Sequence, residues 1–593
     1  MRNPPNLQKN TKKQKPLSGL CSFWRVKILF LCLLLVGVLV IARLFFLQVT
    51  SHGKWVALAE GQHNSSLLLA ADRGEIYMHD GAEDDRYPLA VNREYQMVFV
   101  VPKDVTEKEK VALDLARILD LDANDIKAKL DLPNDPFEVI KKRLTDEEVS
   151  RLRELTYDGI LLRGEKYRYY PAGELASQVV GFASLGEKGG AGGYGIEASL
   201  DQELRGVTGT LLQEKDANGR WISLSDRDVT RAENGDSITL TLDRVIQYET
   251  EKILKDSVER YEADRATAIV MDPSTGNILA MASSPQFDPN QYAQVEDYSL
   301  FLNQGVSSAY EPGSIMKPLT MAIGIEEGKV VPTSEYTDPG AVVEAGYTIR
   351  NAEDKVYGRS SMYKVLDESI NTGVMYVGKL VGNDLFGEYL KRFGFGEKTG
   401  VKLPAELAGN LKNLRNTKST INFYTASFGQ GITTTPIQMV AAYSALANGG
   451  RLLEPNIIDK VVHANGTVEQ RKPVEVRRVV SEETSRLMGQ MLRSVVVNGH
   501  GKRADVPGYL VGGKTGTAQV AKTGAKGYEE GVSIGSFVGY APINDPKFVV
   551  LVKLDNPKKV KWAESSAAPT FGQIMKFLLE YAKIKPTEET AKK

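Results

Sequence analysis

The chain has 593 residues, of which 42% are hydrophobic and 25% are charged, so it has the length and composition for two or more globular domains and is not intrinsically disordered. Its formal net charge is −1, and the excess of lysine and arginine is confined to the first 27 residues, so a broad basic surface for nucleic acid is excluded. Cys21 and Cys32 are the two cysteines, and the five histidines lack metal-ligand spacing, which excludes a catalytic cysteine outside the N-terminal segment and disfavours a zinc hydrolase.

The first predicted element is a membrane-spanning helix at residues 28–48. The run ILFLCLLLVGVLVIA carries no charge, and the apolar sequence resumes after Arg43. About 20 residues in a helix are long enough to cross a bilayer core of roughly 30 Å. The basic residues 1–27 predict a cytoplasmic tail, so everything after residue 48 is expected outside. A signal peptide cleaved at Ala57-Leu-Ala59 is the alternative.

Residues 49–235 are predicted to form a first domain outside the membrane, built of short strands and helices. Two helix starts have capping-box spacing, Thr106-x-x-Glu109 and Thr145-x-x-Glu148. No pattern of catalytic residues occurs in this region.

A second domain is predicted at residues 236–583, followed by a polar tail at 584–593. Asp243 is expected to cap the first helix of this domain, and Pro569 is placed to start the last one. Apolar strand pairs near both ends flank a helical middle, which predicts an α+β domain with one antiparallel sheet and helices packed on it. The predicted strands are 237–242, 266–271, 277–282, 533–540 and 548–554.

The pattern S-x-x-K occurs three times, and its context selects Ser314 and Lys317. Ser314 follows a Pro-Gly loop and precedes a buried apolar helix, so the lysine lies one turn later on the same face. Backbone N–H groups at a helix start also face such a serine, where an acyl oxygen would gain negative charge. The other two copies are interpreted as surface side chains: Ser51/Lys54 and Ser361/Lys364.

The pattern S-x-N occurs once, at Ser369 and Asn371, in a short loop after a helical stretch. A serine and an asparagine two residues apart can point into one cavity, where the hydroxyl relays a proton and the amide orients a lysine or a substrate. The alternative is a pair of residues that caps a helix or stabilises a turn.

The pattern K-T-G also occurs three times, and context selects Lys514, Thr515 and Gly516. This copy follows two glycines on a strand, which allows another backbone or a ligand to come close. A lysine with threonines at Thr515 and Thr517 suits a carboxylate, so the substrate is expected to end in one. The copies at Lys398 and Lys522 lie in predicted loops.

In the contexts YEPGSIMKP, SIN and GGKTGTAQ, these three motifs resemble the class B penicillin-binding proteins. The segments RGEI at 73–76 and GIE at 195–197, with LRG at 204–206, resemble pedestal motifs of that family, and FGQGITTTPIQM at 428–439 resembles part of its transpeptidase domain. One departure is Met78-His79, where the family usually has Asp-Arg. The usual polar network of the pedestal is therefore in question.

The resemblance implies a fold, a location and partners. It implies an α+β protein with a single N-terminal transmembrane helix, an elongated pedestal of the dimerisation type, and a transpeptidase domain like that of serine β-lactamases. The protein would be anchored in the bacterial plasma membrane with the catalytic domain outside. Its partners would be peptidoglycan stem peptides, β-lactams as covalent inhibitors, a membrane glycosyltransferase and division proteins. No cofactor or metal is expected.

The resemblance also implies a role for each motif residue. Ser314 would attack the carbonyl between two D-alanines, and a neighbouring amine would resolve the acyl-enzyme into a cross-link. Lys317 would be the general base, which requires a pKa well below its usual value of about 10.4. The remaining implied roles are proton transfer by Ser369, orientation by Asn371, an oxyanion hole from the backbone of Ser314 and Thr517, and carboxylate binding by Thr515 and Thr517 beside Lys514.

Several alternatives stay open on sequence alone. A β-lactamase or a D,D-carboxypeptidase shares the three motifs, and Glu406-Leu-Ala-Gly-Asn410 lies where a class A lactamase carries its deacylating glutamate. A non-catalytic β-lactam sensor or scaffold is a different class of function. Among transpeptidases, S-I-N followed by Thr-Gly-Val favours septal synthesis over elongation, with sporulation also possible. His500 is interpreted as a solvated loop residue.

Overall fold

The computed structural model describes residues 20–55, 64–81, 85–132, 135, 137–184, 190–214, 228–522 and 527–587. Three predictions fall outside these residues: most of the basic tail, the cleavage site at 57–59 and the end of the polar C-terminal tail. The chain divides into two compact units, Met1–Leu69 with Thr208–Ala232, and Ala70–Val207 with Glu233–Lys593. The predicted pedestal range contributes to both units, and the predicted domain boundaries stay predictions.

The first unit contains the apolar N-terminal helix and a small sheet. The helix runs through Leu20–Phe45 and continues as a π-helical turn, Phe46–Thr50. Within the described residues, Phe23–Thr50 is the one helix long and apolar enough to cross a membrane, and none of it is buried. The sheet is antiparallel with its three strands in chain order: Asn64–Leu69, Gly209–Glu214 and Asp228–Thr230.

The second unit begins with a sheet of seven strands. Its order is Val468–Gln470, Ile458–Val462, Ser237–Asp243, Ile76–His79, Arg86–Val100 and Glu138–Lys141, and Ile160–Tyr169 also pairs with Arg86–Val100. The helices around it are Lys108–Leu119, Ala123–Leu130, Asp146–Arg153, Ser177–Val180, Gly195–Ser199 and Asp201–Arg205.

The strand Ser237–Asp243 belongs to this seven-stranded sheet, whereas the sequence pattern predicts it in the sheet of the second domain. Ser237–Asp243 pairs in parallel with Ile76–His79 and antiparallel with Ile458–Val462, so it does not join the five-stranded sheet formed by the other predicted strands. Both partners are more than 150 residues away along the chain, and hydrophobic patterning carries no information about such pairings.

The two capping-box predictions have different outcomes. The Thr145 hydroxyl accepts a hydrogen bond from the backbone N–H of Glu148, and the Glu148 carboxylate accepts one from the backbone N–H of Thr145, which confirms the second box. The first prediction is wrong, because the helix begins at Lys108 with Glu107 as its N-cap and no side chain caps it. The apolar face of this helix buries Val111, and such packing stabilises a helix that lacks a side-chain cap.

The five-stranded sheet of the second unit is antiparallel, as predicted. Its five strands lie in the order Ile278–Ser284, Arg265–Met271, Phe548–Asp555, Tyr528–Ala541 and Gly512–Ala521. Alternate residues face opposite layers, so Ala268 packs with one hydrophobic cluster and Ile269 with the other. The sheet is therefore covered on both faces.

Two helices pack on the first face of this sheet, Arg244–Tyr261 and Ala567–Tyr581. Asp243 caps the former by accepting from two backbone N–H groups, as predicted, whereas the latter begins two residues before Pro569. The other helices of the domain are Gln304–Ser307, Lys317–Glu326, Met362–Asp367, Asn371–Val381, Asn383–Arg392, Thr420–Ser427, Pro436–Ala447 and Glu482–Asn498.

Three short antiparallel strand pairs complete the domain. They are Glu335–Asp338 with Gly358–Ser361, Ala341–Glu344 with Tyr347–Arg350, and Arg451–Leu453 with Glu475–Arg478.

A buried ion network is present in the pedestal despite the departure at Met78-His79. The Glu197 carboxylate lies 2.6 Å from the Nε atoms of both Arg73 and Arg168, and it is fully buried. Arg73 also contacts Asp201 at 2.8 Å. Met78 is buried in the apolar core, and His79 Nε2 lies 3.2 Å from a carboxylate oxygen of Asp459.

Candidate active site

The candidate nucleophile, Ser314, lies on a tight turn that leads into a buried helix. The turn is a 3-10 helix, Gly313–Met316, which runs directly into the helix Lys317–Glu326. Ser314 is partly exposed, whereas the helix that follows is buried over its first nine residues. The buried Tyr443 hydroxyl donates a hydrogen bond to the carbonyl of Ile315 at 2.7 Å, which ties the turn to the core.

The segment 428–431 packs directly against this turn. The backbone N–H of Gly313 donates to the carbonyl of Gly429 at 3.0 Å. Gly429 has a φ of +82°, and a Cβ there would lie 2.2 Å from the carbonyl oxygen of Gly313. Only glycine fits such a close approach, so the segment 428–431 fixes the position of the turn Gly313–Met316, called the nucleophile turn below.

Lys317 is fully buried, and its Nζ meets three oxygen atoms of the second motif. These are the Ser369 carbonyl at 2.5 Å, the Ser369 hydroxyl at 3.1 Å and Asn371 Oδ1 at 2.7 Å. Burial lowers the pKa of Lys317 well below its ordinary value, and the positive charge of Lys514 lowers it further.

The second motif lies between two helices, Met362–Asp367 and Asn371–Val381. Ser369 has a φ of +54°, a left-handed conformation that L-residues rarely adopt, and Asn371 is the first residue of the second helix. Asn371 Nδ2 donates to the carbonyl of Arg350 at 2.8 Å, so its Oδ1 is directed to Lys317.

The third motif lies on Gly512–Ala521, the edge strand of the central sheet. Lys514 is fully buried there, and its Nζ lies 3.2 Å from the carbonyl oxygen and 3.3 Å from the hydroxyl oxygen of Thr515. Burial lowers the pKa of Lys514 to about 7, although Asp367 and Glu564 act in the opposite direction. Near neutral pH this lysine is therefore poised between its two protonation states.

Gly516 and Thr517 bring the third motif against the nucleophile turn. A Cβ at position 516 would lie 2.7 Å from the Ser536 hydroxyl and 2.9 Å from the carbonyl of Pro312, so glycine permits this close packing. The Thr517 hydroxyl oxygen accepts from the backbone N–H of Ala563 at 3.1 Å. Its own hydrogen is then available to a ligand.

The three motifs line one cleft of about 270 Å³. Ser314, Ser369, Asn371, Thr515 and Thr517 all lie on its wall, whereas Lys317 and Lys514 are buried behind it. The candidate nucleophile, the hydroxyl groups of the second and third motifs and two buried lysine amines are therefore gathered around one space. Within the described residues, no group of three His, Cys, Asp or Glu side chains could hold a metal ion.

The cleft also contains residues that the sequence did not single out, among them Tyr357, Trp562 and Glu564. His500, interpreted as a solvated loop residue, lines the cleft as well, with Nδ1 2.8 Å from a Glu564 oxygen. That interpretation was incomplete, because the fold brings its loop to the cleft and no local pattern indicates this.

The residues set aside on context have other surroundings. Ser361 caps the helix Met362–Asp367 by accepting from the backbone of Lys364, and Lys398 and Lys522 are exposed. Glu406 accepts hydrogen bonds at 2.6 Å from both the backbone and the hydroxyl of Thr399, and it does not line the cleft.

Two family models match the chain. The penicillin binding protein transpeptidase domain matches residues 266–576, and the penicillin-binding protein dimerisation domain matches residues 68–240.

Individual proteins match along nearly the whole chain. Stage V sporulation protein D of Bacillus subtilis is 34% identical over 579 residues, covering 96% of this chain and 88% of that protein. The peptidoglycan D,D-transpeptidase FtsI of Escherichia coli is 28% identical over 585 residues, covering 97% of this chain and 94% of that protein. The crystal structure of penicillin binding protein 3 from Mycobacterium tuberculosis with aztreonam is similar at a TM-score of 0.68 and 28% identity, covering 88% and 99%.

The chain belongs to the class B penicillin-binding proteins, with a dimerisation domain, a transpeptidase domain and an N-terminal helix suited to a single-pass membrane anchor.

Proposed function

We propose that this penicillin-binding protein is a peptidoglycan D,D-transpeptidase that cross-links stem peptides through an acyl-enzyme on Ser314. The donor is a stem peptide ending in D-Ala-D-Ala, and an amine of a neighbouring stem is the acceptor. Ser314 attacks the carbonyl between the two D-alanines, the C–N bond breaks and the last D-alanine leaves. The acceptor amine then attacks the Ser314 ester, forms the cross-linking amide and regenerates the serine.

The observation that carries this proposal is the environment of the Lys317 amine. A neutral amine has two N–H donors, which the Ser369 carbonyl and Asn371 Oδ1 accept, and one lone pair that is left to take up a proton. Burial favours this neutral form, which can accept the proton of Ser314. Ser369 lies close enough to pass that proton to the leaving nitrogen, and Asn371 orients Lys317.

The third motif supplies the other contacts of the proposed reaction. Thr515 and Thr517 donate their hydroxyl hydrogens to the terminal carboxylate, and Lys514 adds positive charge behind them. The backbone N–H groups of Ser314 and Thr517 form the oxyanion hole for the tetrahedral intermediate. Gly516 lets the strand approach the nucleophile turn, which brings these donors to the reacting carbonyl.

Labelling with a fluorescent penicillin tests the nucleophile, because the strained β-lactam imitates the D-alanyl-D-alanine bond. Ser314→Ala should abolish covalent labelling of the full-length protein. Ser361→Ala, in another copy of S-x-x-K, is the matched control and should keep it. Labelling that survives Ser314→Ala, or rapid turnover of nitrocefin as in a β-lactamase, contradicts the proposal.

We also propose that cross-linking serves the septum, in the plasma membrane, with the N-terminus cytoplasmic and the catalytic domain outside. The partners are then a membrane glycosyltransferase and division proteins. The sequence after Asn371 supports this role, and the identity to stage V sporulation protein D favours spore-wall synthesis as the second candidate. The location of a fluorescent fusion distinguishes the two roles. A signal at the division site is expected for septal synthesis, and a signal confined to sporulating cells supports spore-wall synthesis. A uniform side-wall signal contradicts both roles.

A further inference from the structure

A buried carboxylate that the proposed reaction does not use lies behind the second motif. Asp338 ends the strand Glu335–Asp338 and is 2% exposed. Within the described residues it forms no ion pair, although a buried charge without compensation is costly. Its two oxygens are instead satisfied by hydrogen bonds.

Four donors from three segments converge on Asp338. Oδ1 accepts from the backbone of Gly340 at 3.0 Å and from the Thr372 hydroxyl at 2.5 Å. Oδ2 accepts from Asn351 Nδ2 at 2.9 Å and from the backbone of Tyr357 at 2.8 Å. Each carboxylate oxygen therefore receives one backbone N–H and one side-chain donor. These hydrogen bonds outweigh burial and lower the pKa of Asp338, which keeps it ionised.

Two of these donors bracket a wall of the cleft. Ala352, Glu353, Lys355 and Tyr357 line the cleft, and Asp338 holds both ends of this segment through Asn351 and Tyr357. Glu353 and Asp354 have φ values of 56° and 55°, in the left-handed region. Such a backbone persists only where the surrounding structure holds it.

The third donor connects the wall to the second motif. Thr372 follows Asn371 in the first turn of the helix Asn371–Val381, and its backbone N–H donates to Asn351 Oδ1 at 3.2 Å. A negative charge at that helix start is also favourable. Asp338 therefore joins the wall segment to the turn that presents Asn371 to Lys317.

We propose that Asp338 is a positioning residue for acylation. It fixes the position of the cleft wall 351–357 relative to Asn371. The inference rests on the proposed function, because it assumes that Ser314 is acylated in this cleft. Loss of the carboxylate should move the wall relative to Asn371, and a displacement of about 1 Å at a distance from the chemistry can cost roughly 100-fold in rate.

The test compares variants of the full-length protein in detergent. In Asp338→Asn, either orientation of the new amide places its NH2 group opposite a backbone N–H, of Gly340 or of Tyr357. Thr372→Val removes one donor at constant shape, and Thr372→Ser restores the hydroxyl. Glu335→Gln, on the same strand but exposed and paired with Arg359, is the control.

Acylation by a fluorescent penicillin is followed over a range of concentrations, so that the first-order acylation rate and the apparent affinity are separated. Asp338→Asn and Thr372→Val should lower the first-order rate by about 10- to 100-fold. Thr372→Ser and Glu335→Gln should stay within about threefold of the unaltered protein, a pattern that general destabilisation does not produce.

Equal rates in Asp338→Asn and the unaltered protein, or equal losses in Thr372→Ser and Thr372→Val, overturn the inference. Circular dichroism reports whether each variant folds. If Asp338→Asn does not fold, the comparison of Thr372→Val with Thr372→Ser decides the question. If the unaltered protein itself is not acylated at Ser314, the proposed function fails first, which is a separate result.

Discussion

The pedestal and the catalytic cleft both bury cationic side chains, but they treat the charge differently. In the pedestal, Glu197 lies between Arg73 and Arg168, and Asp201 adds a second carboxylate. In the cleft, Lys317 and Lys514 are fully buried and, among the described residues, form no ion pair. Their hydrogen-bond partners are carbonyl, amide and hydroxyl oxygens.

This difference separates a structural charge from a reactive one. Burial acts to lower the pKa of Arg73, but the carboxylates of Glu197 and Asp201 raise it, so the guanidinium stays charged. Burial and the charge of Lys514 both lower the pKa of Lys317, and burial lowers the pKa of Lys514 despite the opposing carboxylates of Asp367 and Glu564. A buried lysine without an ion pair has a lowered pKa that suits it to reaction, whereas the paired guanidinium stays charged and holds the fold together.

The largest expected effect is that of removing the base. Lys317→Met keeps the length of the side chain but not the amine, so acylation by penicillin should slow by about 10³-fold. The variant should still fold, because methionine fills the same buried space. Lys364→Met, in the S-x-x-K copy at Ser361, is the control and should acylate normally. Near-normal acylation of Lys317→Met would assign the base to another group.

Breaking the pedestal network should give the opposite profile. Glu197→Gln leaves two buried guanidinium groups with less compensation and should lower the free energy of unfolding by about 3–5 kcal/mol, measured by chemical denaturation. The remaining folded protein should be acylated at nearly the normal rate. Glu147→Gln breaks an exposed pair with Arg151 and should cost less than about 1 kcal/mol. Similar losses in both variants would contradict the contrast between the two regions.

The pH dependence of acylation sharpens the contrast between the two lysines. Lys317 acts as the neutral form, so the rate should fall as pH drops below its pKa. Lys514 acts as the charged form, so the second-order rate constant should fall as pH rises above about 7, by up to about tenfold per unit.

Lys514→Arg should move the alkaline limb to higher pH, because arginine stays charged throughout the measurable range. Its acidic limb should keep the position set by Lys317. An alkaline limb that remains near pH 7 in this variant would show that Lys514 does not cause it.

The smallest expected effect concerns the pedestal position where the sequence departs from its family. His79 and Asp459 form a contact that is partly exposed to solvent. The hydrogen bond from His79 is the largest influence on the pKa of Asp459, and it lowers that pKa. His79→Ala should therefore lower the free energy of unfolding by only about 1 kcal/mol. A loss comparable to that of Glu197→Gln would place His79 inside the ion network.

Local context was enough to select the motif copies that the fold brings together. The Pro-Gly loop before Ser314 and the glycines before Lys514 are short-range features, and the structure brings these copies to one cleft with Ser369 and Asn371. The helix cap at Asp243 was predictable for the same reason, since an N-cap depends on a few neighbouring residues.

Long-range pairing was not predictable. The strand Ser237–Asp243 has an apolar pattern that fits either sheet, and its partners are distant in sequence. His500 reaches the cleft, and Asp338 gathers donors from three segments, only once the chain is folded. Thr106 shows that a local motif can also fail, because the helix begins at Lys108 without a side-chain cap.

The most direct test of the central claim is a mass-spectrometric analysis of the products of the full-length protein. The protein is given stem peptides ending in D-Ala-D-Ala, together with an acceptor amine. The account predicts release of the terminal D-alanine and a cross-linked product, both lost in Ser314→Ala and Lys317→Met. Release of D-alanine with only the shortened, uncross-linked peptide, or a cross-link that persists in Ser314→Ala, would contradict it.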